Sequence, residues 1–192
     1  CAIVTGAAQG FGAAIAMRFA EAGASVVVAD RNEEGARKKA QEINDMHHSA
    51  TAKVVDIFDS KQVINMVSET VSEYGRVDIL VNNAGIFSNH YFESMPVDEF
   101  QHTLNVNVVG TFNCTQAVVQ NMKSDGKGGV IVNIASVDAF KPSAEGLAHY
   151  TTTKHAIAGL TRSLAMELGG DNIRVNAVCP GAAMTEGAIS LV

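Results

Sequence analysis

Tyr150 and Lys154 stand four residues apart in the segment His149-Tyr150-Thr151-Thr152-Thr153-Lys154-His155-Ala156, which reads as helix. At about 3.6 residues per turn, a phenol and an ammonium with that spacing share one helical face. Tyrosine is a poor acid–base group at its ordinary pKa of about 10, and a cation within reach favours the phenolate, typically by about 1–3 units. The pair therefore describes a proton-transfer device able to work near neutral pH. The spacing alone is unspecific, since Tyr and Lys four apart recur on many solvated helix faces. Its meaning has to come from other segments.

The amino end supplies the first. Ala2-Ile3-Val4-Thr5 runs into Gly6-Ala7-Ala8-Gln9-Gly10-Phe11-Gly12, and Ala13-Ala14-Ile15-Ala16 follows. An apolar run, a glycine-rich turn and a good helix former are what a phosphate-binding loop needs: glycines let the backbone approach a pyrophosphate, and the helix offers free N–H groups and the positive end of its dipole. A second apolar run, Ser25-Val26-Val27-Val28-Ala29, ends in Asp30. A carboxylate at that place can accept hydrogen bonds from ribose hydroxyls and repels a 2′-phosphate. Asp30 thus argues against a 2′-phosphate, whereas Arg31 would favour one if its side chain turned inward. The bland alternative is a tight strand–helix turn with an acidic strand end.

Two further segments complete the set. Val77-Asp78-Ile79-Leu80-Val81 runs into Asn82-Asn83-Ala84-Gly85, and Val130-Ile131-Val132-Asn133-Ile134-Ala135 delivers Ser136. With Pro180-Gly181, the chain carries T-G-x-x-x-G-x-G, N-N-A-G, a serine at a strand end, Y-x-x-x-K and a P-G turn, in that order and over nearly its whole length. It closely resembles the short-chain dehydrogenase/reductase family. No single motif is specific; the ordered set is. The separation of Ser136 from Tyr150 is one residue longer than the spacing commonest in that family.

The resemblance implies roles. Tyr150 exchanges a proton with the substrate oxygen, Lys154 lowers the tyrosine pKa and holds the nicotinamide ribose, and Ser136 hydrogen-bonds the substrate oxygen. In Leu104-Asn105-Val106-Asn107-Val108-Val109-Gly110, the N-x-x-G pattern matches Asn107 to the family's helix asparagine, which organises a water relay behind the lysine; Asn105 is the runner-up. Gly6, Gln9, Gly10, Phe11 and Gly12 belong to the cofactor turn. Asp56 and Ile57 should meet the adenine, and Asn83, Ala84 and Gly85 should pass beneath the ribose. Pro180, Gly181, Ala183 and Thr185 should reach the nicotinamide end. For substrate, Ser136, Asp138 and Tyr150 are the expected contacts, and the polar Asp138, Glu145 and His149 incline the pocket toward a hydroxylated molecule.

Composition limits the alternatives. The chain has 192 residues, enough for one domain with a substantial core. Its apolar runs are too short to span a bilayer, and no signal-peptide pattern opens it. A net charge of −6 with no basic cluster argues against nucleic acid. Three widely spaced cysteines in apolar surroundings fit reduced thiols of a cytoplasmic protein, and the histidines form no ligand cluster, so no metal is expected.

Strand-like runs near 2–5, 25–29, 51–55, 77–81, 130–135 and 173–178 alternate with helical stretches at about 11–22, 33–46, 60–74, 97–122 and 148–168. Such alternation predicts a single α/β domain over 1–192, a doubly wound parallel sheet (Rossmann fold) with helices on both faces and strand order 3-2-1-4-5-6. Relative to the family, the extreme N-terminus and the substrate-covering region with a seventh strand are expected to be missing. On the helix at 148–168, Ile157, Leu160, Leu164 and Leu168 form the face for burial, and opposite them Thr152, Ala156, Gly159 and Ser163 form a ridge of small residues. With the apolar Phe112, Cys114, Val118 and Met122 on the preceding helix, this suggests an isologous dimer through both helices, within a tetramer. The expected activity is NAD-dependent interconversion of a secondary alcohol (polyol, sugar, steroid or hydroxyacyl compound) and its ketone. The alternatives are a 3-oxoacyl-thioester reductase or a non-catalytic nucleotide sensor on the same fold. A sugar-nucleotide epimerase of the extended branch is disfavoured by the Gly6…Gly10…Gly12 spacing.

Overall fold

The apolar runs become strands that are covered on both sides, which is why they lack a polar face. In the computed structural model, which describes residues 1–124 and 126–183, β1 (Ala2–Thr5), β2 (Val26–Asp30), β3 (Ala50–Val54), β4 (Ile79–Asn82), β5 (Gly129–Ile134) and β6 (Ile173–Val178) form one six-stranded sheet. All neighbours are parallel, in the order β3-β2-β1-β4-β5-β6. The chain is therefore a Rossmann fold with the predicted strand order.

Alternation along the strands divides the core. Val4, Val26, Val28 and Val81 turn to one face, against Ala16 and Ala20 of α1 (Gly10–Glu21) and Ala36, Ala40 and Ile43 of α2 (Glu33–Asp45). Ile3, Val27, Leu80 and Ile131 turn to the other, against Val63, Met66 and Val67 of α3 (Ser60–Tyr74). Side-chain caps fix two helix starts: Asn32 accepts from Gly35 N before α2, and Asp59 accepts from Lys61 N and Gln62 N before α3. α3 stops at Gly75, whose φ of 83° is the left-handed conformation that glycine adopts without cost.

One expectation needs correction. The stretch read as a single helix over 97–122 is α4 (Val97–Leu104), a π-helical turn at Asn105–Val109, and α5 (Gly110–Ser124). The break comes from Asn107, whose side chain clamps the Ile86 backbone: its Oδ1 accepts from Ile86 N and its Nδ2 donates to Ile86 O, both at 2.8 Å. Periodicity carries no trace of such a clamp, because it reports where apolar residues recur and not which distant backbone an asparagine will bind.

The surplus of apolar residues on α5 is also largely consumed inside the subunit. Cys114, Val118 and Met122 are buried against the sheet, and of the four residues named only Phe112 faces outward. On α6 (Ala148–Leu168), Thr152, Gly159 and Ser163 are exposed, Ala156 is half-buried, and a Cβ at Gly159 would touch nothing within 4 Å. Among the described residues, no helix is long and apolar enough to cross a membrane.

Candidate active site

At the carboxyl ends of β1 and β4 the strand order reverses, and the turns after the two strands are locked together. Thr5 Oγ1 accepts from Asn83 N and Ala84 N at 3.1 Å, while Asn83 Nδ2 donates to Thr5 O and Gly6 O at 3.0 Å. The fit leaves no room for side chains: a Cβ on Gly12 would lie 2.2 Å from Gly6 O, and one on Gly6 2.7 Å from the Ala84 Cα. Asp30 closes the far side of the turn, since its carboxylate accepts from Ala8 N at 3.0 Å and Asn32 N at 2.9 Å. Its direction is thus set by two backbone amides, not by a mobile partner.

These elements border a cleft of about 490 Å³, lined by Gly6, Gln9, Gly10, Phe11, Asp30, Asp56, Ile57, Asn83, Ala84 and Gly85. Gly12 lies beneath the turn, not in the lining. Sequence reasoning missed Phe58, Phe87, His102 and Val106 in the same walls; they follow no periodic or motif signal. The glycine cradle, the open backbone amides at the start of α1 and the fixed carboxylate fit an extended dinucleotide.

A second cavity of about 360 Å³ shares Phe11, Asn83, Gly85 and Phe87 with the cleft, and its lining includes Ser136, Asp138, Tyr150, Lys154, Pro180, Gly181 and Ala183. Thr185 lies outside the described residues. Ser136 and Tyr150 line this cavity together, and the Tyr150 ring leans on Phe87 with centroids 5.6 Å apart. Lys154 Nζ donates to Ile134 O at 2.8 Å and sits 5.3 Å from the centre of the Tyr150 ring. The structure thus brings Ser136, Tyr150 and Lys154 to one wall.

The electrostatics differ from the sequence expectation. Burial pushes the Tyr150 phenol up from its ordinary value, Asp138 adds to the rise, and the Ser136 hydrogen bond opposes it. Burial also brings the Lys154 ammonium down to about 8, against the pull of Cys179 and Asp138. The helical spacing does place the cation by the tyrosine, but its proton donor is aimed at a strand-end carbonyl and both groups have lost water. Desolvation outweighs the pairing.

Asn107 is buried, and its Nδ2 also reaches Thr153 Oγ1 at 3.1 Å, next to Lys154. Asn105 instead accepts from Gln101 Nε2 and faces the larger cleft. Of the three polar residues read as facing substrate, Asp138 lines the smaller cavity and His149 and Glu145 do not. Asp138 is 3% exposed, with both oxygens bonded to protein donors. His149 is fully buried, its Nε2 2.9 Å from Ser88 Oγ, which donates to Glu99 Oε1 at 2.5 Å. Glu145 is exposed and outside the cavity lining. The lean toward a hydroxylated substrate loses its basis. Among the described residues, no cluster of His, Cys, Asp and Glu could hold a metal ion.

A model of the short chain dehydrogenase family matches residues 1–191. The chain belongs to that family. It is 41% identical to a 3alpha-hydroxysteroid dehydrogenase of Mediterraneibacter gnavus over 96% of the chain and 74% of the relative. It is 39% identical to the 7alpha-hydroxysteroid dehydrogenase of Escherichia coli over 100% of the chain and 74% of the relative. Among solved structures, a 3-ketoacyl-(acyl-carrier-protein) reductase from Brucella melitensis complexed with NADH superposes with a TM-score of 0.93 at 39% identity, covering 99% of this chain and 78% of that one. A gluconate 5-dehydrogenase from Burkholderia cenocepacia, in complex with NADP and tartrate, gives 0.92 at 35% identity, covering 99% and 74%. The chain is therefore an oxidoreductase on a nucleotide-binding fold, of a family that acts on small molecules.

Burying Lys154 makes a prediction about stability. A folded-state pKa of about 8, below the ordinary 10.5, means that the folded protein holds this proton less tightly than the unfolded chain. Below pH 8 the penalty is complete, about 3 kcal/mol as an upper figure, and it disappears as pH rises to 10.5. Lys154→Met should stabilise the cofactor-free protein toward urea at pH 7, and the gain should shrink steadily when the comparison is repeated up to pH 10.

Proposed function

We propose that the protein is an NAD-dependent oxidoreductase that interconverts a secondary alcohol and a ketone, with Tyr150 as general acid and base. The observation that carries this reading is the meeting of Ser136, Tyr150 and Lys154 in one cavity that adjoins the glycine-cradled cleft. A bound nicotinamide dinucleotide supplies the hydride acceptor or donor. Tyr150 gives its hydroxyl proton to the ketone oxygen in reduction and takes it from the alcohol in oxidation. Ser136 orients that oxygen, Lys154 holds ribose hydroxyls from the cavity floor, and Asn107 fixes the helix turn that faces Lys154 through Thr153. Gly6, Gln9, Gly10 and Phe11 border the pyrophosphate path, with Gly12 beneath it, and Asp56 and Ile57 flank the adenine. Asn83, Ala84 and Gly85 lie beneath the ribose, and Pro180, Gly181, Ala183 and Thr185 serve the nicotinamide end.

For substrate we favour a bulky apolar alcohol. Phe11, Phe87, Val137 and Leu147 line the smaller cavity, and Asp138, the one acidic residue among the described lining, is occupied within the protein. The hydroxysteroid names of two relatives agree with that class. The free thiols of Cys1, Cys114 and Cys179 support a cytoplasmic setting. Offered NAD with steroid alcohols, polyols, sugars and hydroxyacyl thioesters, the protein should form NADH fastest with the first. Tyr150→Phe should abolish that turnover and leave the NAD dissociation constant within about twofold, because only the proton-carrying oxygen is lost. Turnover with none of these alcohols would leave the nucleotide-sensor reading standing.

The preference for NAD rests on Asp30. Its carboxylate is held at the cleft by Ala8 N and Asn32 N, so it cannot swing away from a 2′-phosphate. Such a contact costs on the order of 1–3 kcal/mol, or about tenfold to hundredfold in affinity. Titration should find NADP weaker by that factor; equal or tighter NADP binding refutes the preference.

The exposed ridge of Thr152, Gly159 and Ser163 on α6, with the outward Phe112 of α5, supports an isologous dimer through these helices, within a tetramer. Because a side chain at Gly159 meets nothing in its own subunit, Gly159→Arg should leave the subunit folded. In sedimentation it should convert the assembly to smaller species, whereas a wild type already monomeric at micromolar concentration removes the proposal.

A further inference from the structure

The loop that follows β4 is stitched to the segment leading into α6. His90 N donates to Gly146 O at 3.0 Å, and Asn89 Nδ2 donates to Glu145 O at 3.2 Å. Gly146 has a φ of 76°, and a Cβ there would lie 2.6 Å from Asn89 Oδ1. Deeper in this seam, Ser88 Oγ lies between His149 Nε2 at 2.9 Å and Glu99 Oε1 of α4 at 2.5 Å. One residue further along each side, Phe87 leans on Tyr150. Phe87 borders both the larger cleft and the smaller cavity.

These hydrogen bonds fix where the protons are. A carboxylate only accepts, so the single Ser88 hydroxyl proton goes to Glu99. Ser88 then has only lone pairs for His149, whose proton must sit on Nε2. The other nitrogen, Nδ1, is buried and has no hydrogen-bond partner among the described residues. A second proton placed there would be a desolvated N–H without an acceptor, which the closed seam cannot relieve. We propose that His149, acting with Ser88 and Glu99, is a positioning residue that clamps the loop after β4, and with it Phe87, against Tyr150, and that protonation of His149 opens the clamp. This rests on the reading of the smaller cavity as the substrate site.

The titratable groups that act on His149 are Glu99 on α4 and His90 on the loop, whose ring meets it edge-on at 6.3 Å. Glu145 joins the seam through its backbone, and its side chain is exposed. Burial disfavours the imidazolium most, Glu99 favours it and His90 disfavours it, so His149 titrates below its ordinary 6.5. The closed loop is therefore most stable above pH 6.5 and loses stability as the pH falls toward the lowered value.

The chain has no tryptophan, so Phe87→Trp supplies a single emitter at the clamp. In the cofactor-free protein its emission should shift to the red as the pH falls through a midpoint below 6.5, because the indole gains water. His149→Gln, added to this variant, keeps a donor where Nε2 stands and takes no proton, so the emission should stay at its neutral-pH position throughout. Ser88→Ala cuts the link instead, so the emission should be red-shifted at every pH; it also guards against misfolding of the glutamine variant. In the wild type at neutral pH, the imidazole nitrogen resonances lost in His149→Gln should report a proton on Nε2 alone. With a steroid alcohol as substrate, Ser88→Ala should raise KM about tenfold and leave kcat within about twofold, since the wall loosens and the acid–base group is untouched. Emission that ignores pH in Phe87→Trp, a transition that survives in both added variants, a proton on Nδ1, or an unchanged KM overturns the proposal. If no alcohol is turned over, the oxidoreductase reading falls, while emission and resonances still decide the clamp.

Discussion

The site depends on a steric constraint at the point where β1 and β4 end. In a parallel sheet the turns leave every strand at the same edge, and where the order reverses their helices depart to opposite faces and open a crevice. That crevice could collapse or widen. Here Thr5 and Asn83 fasten its two lips with four hydrogen bonds, and the absent Cβ atoms of Gly6 and Gly12 let the backbones meet at contact distance. The Asp30 carboxylate, Phe11 and the second cavity all take their positions from that junction.

Much of this was legible in the sequence because it depends on local rules. Apolar runs such as Val26–Ala29 have to be buried strands, the caps at Asn32 and Asp59 mark helix starts, and the glycine spacing near Gly6 has few uses other than a close approach of backbone. The order 3-2-1-4-5-6 follows once βα alternation and handedness are granted. What stayed hidden depends on contacts between distant segments. Nothing near Asn107 announces that it will clamp Ile86, 21 residues away in sequence, and so interrupt a helix. Nothing near His149 or Asp138 says that their polar atoms will be taken up by Ser88 and Ser143 and not face a ligand. Residue type gave the neighbourhood of both, and the partners of their polar atoms came from other segments of the chain.

The same distinction applies to Tyr150 and Lys154. Their spacing fixes a shared face, but the acid–base character of each is set by what water they lose and by where the donor atoms point. A lysine pushed toward neutrality and a tyrosine pushed away from ionisation are what a closed apolar wall does to two polar groups. The interior nearby carries other unrelieved polarity: among the described residues Asn82 Oδ1 and His149 Nδ1 are buried without a hydrogen-bond partner. Strain of this kind gathers where a protein does chemistry, and the surrounding core has to outweigh it.

The π turn at Asn105–Val109 has an effect on rotational phase. Each residue of an α-helix advances about 100° around its axis, so one residue accommodated in a wider turn resets which side of the rod every later side chain occupies. Before the turn, Glu99 reaches Ser88; within it, Asn107 reaches Thr153; after it, Cys114 and Val118 meet the sheet. No uniform helix of this sequence could satisfy all three at once. The irregular turn acts as a gear change, letting one rod of backbone serve the catalytic wall at one end and the core at the other.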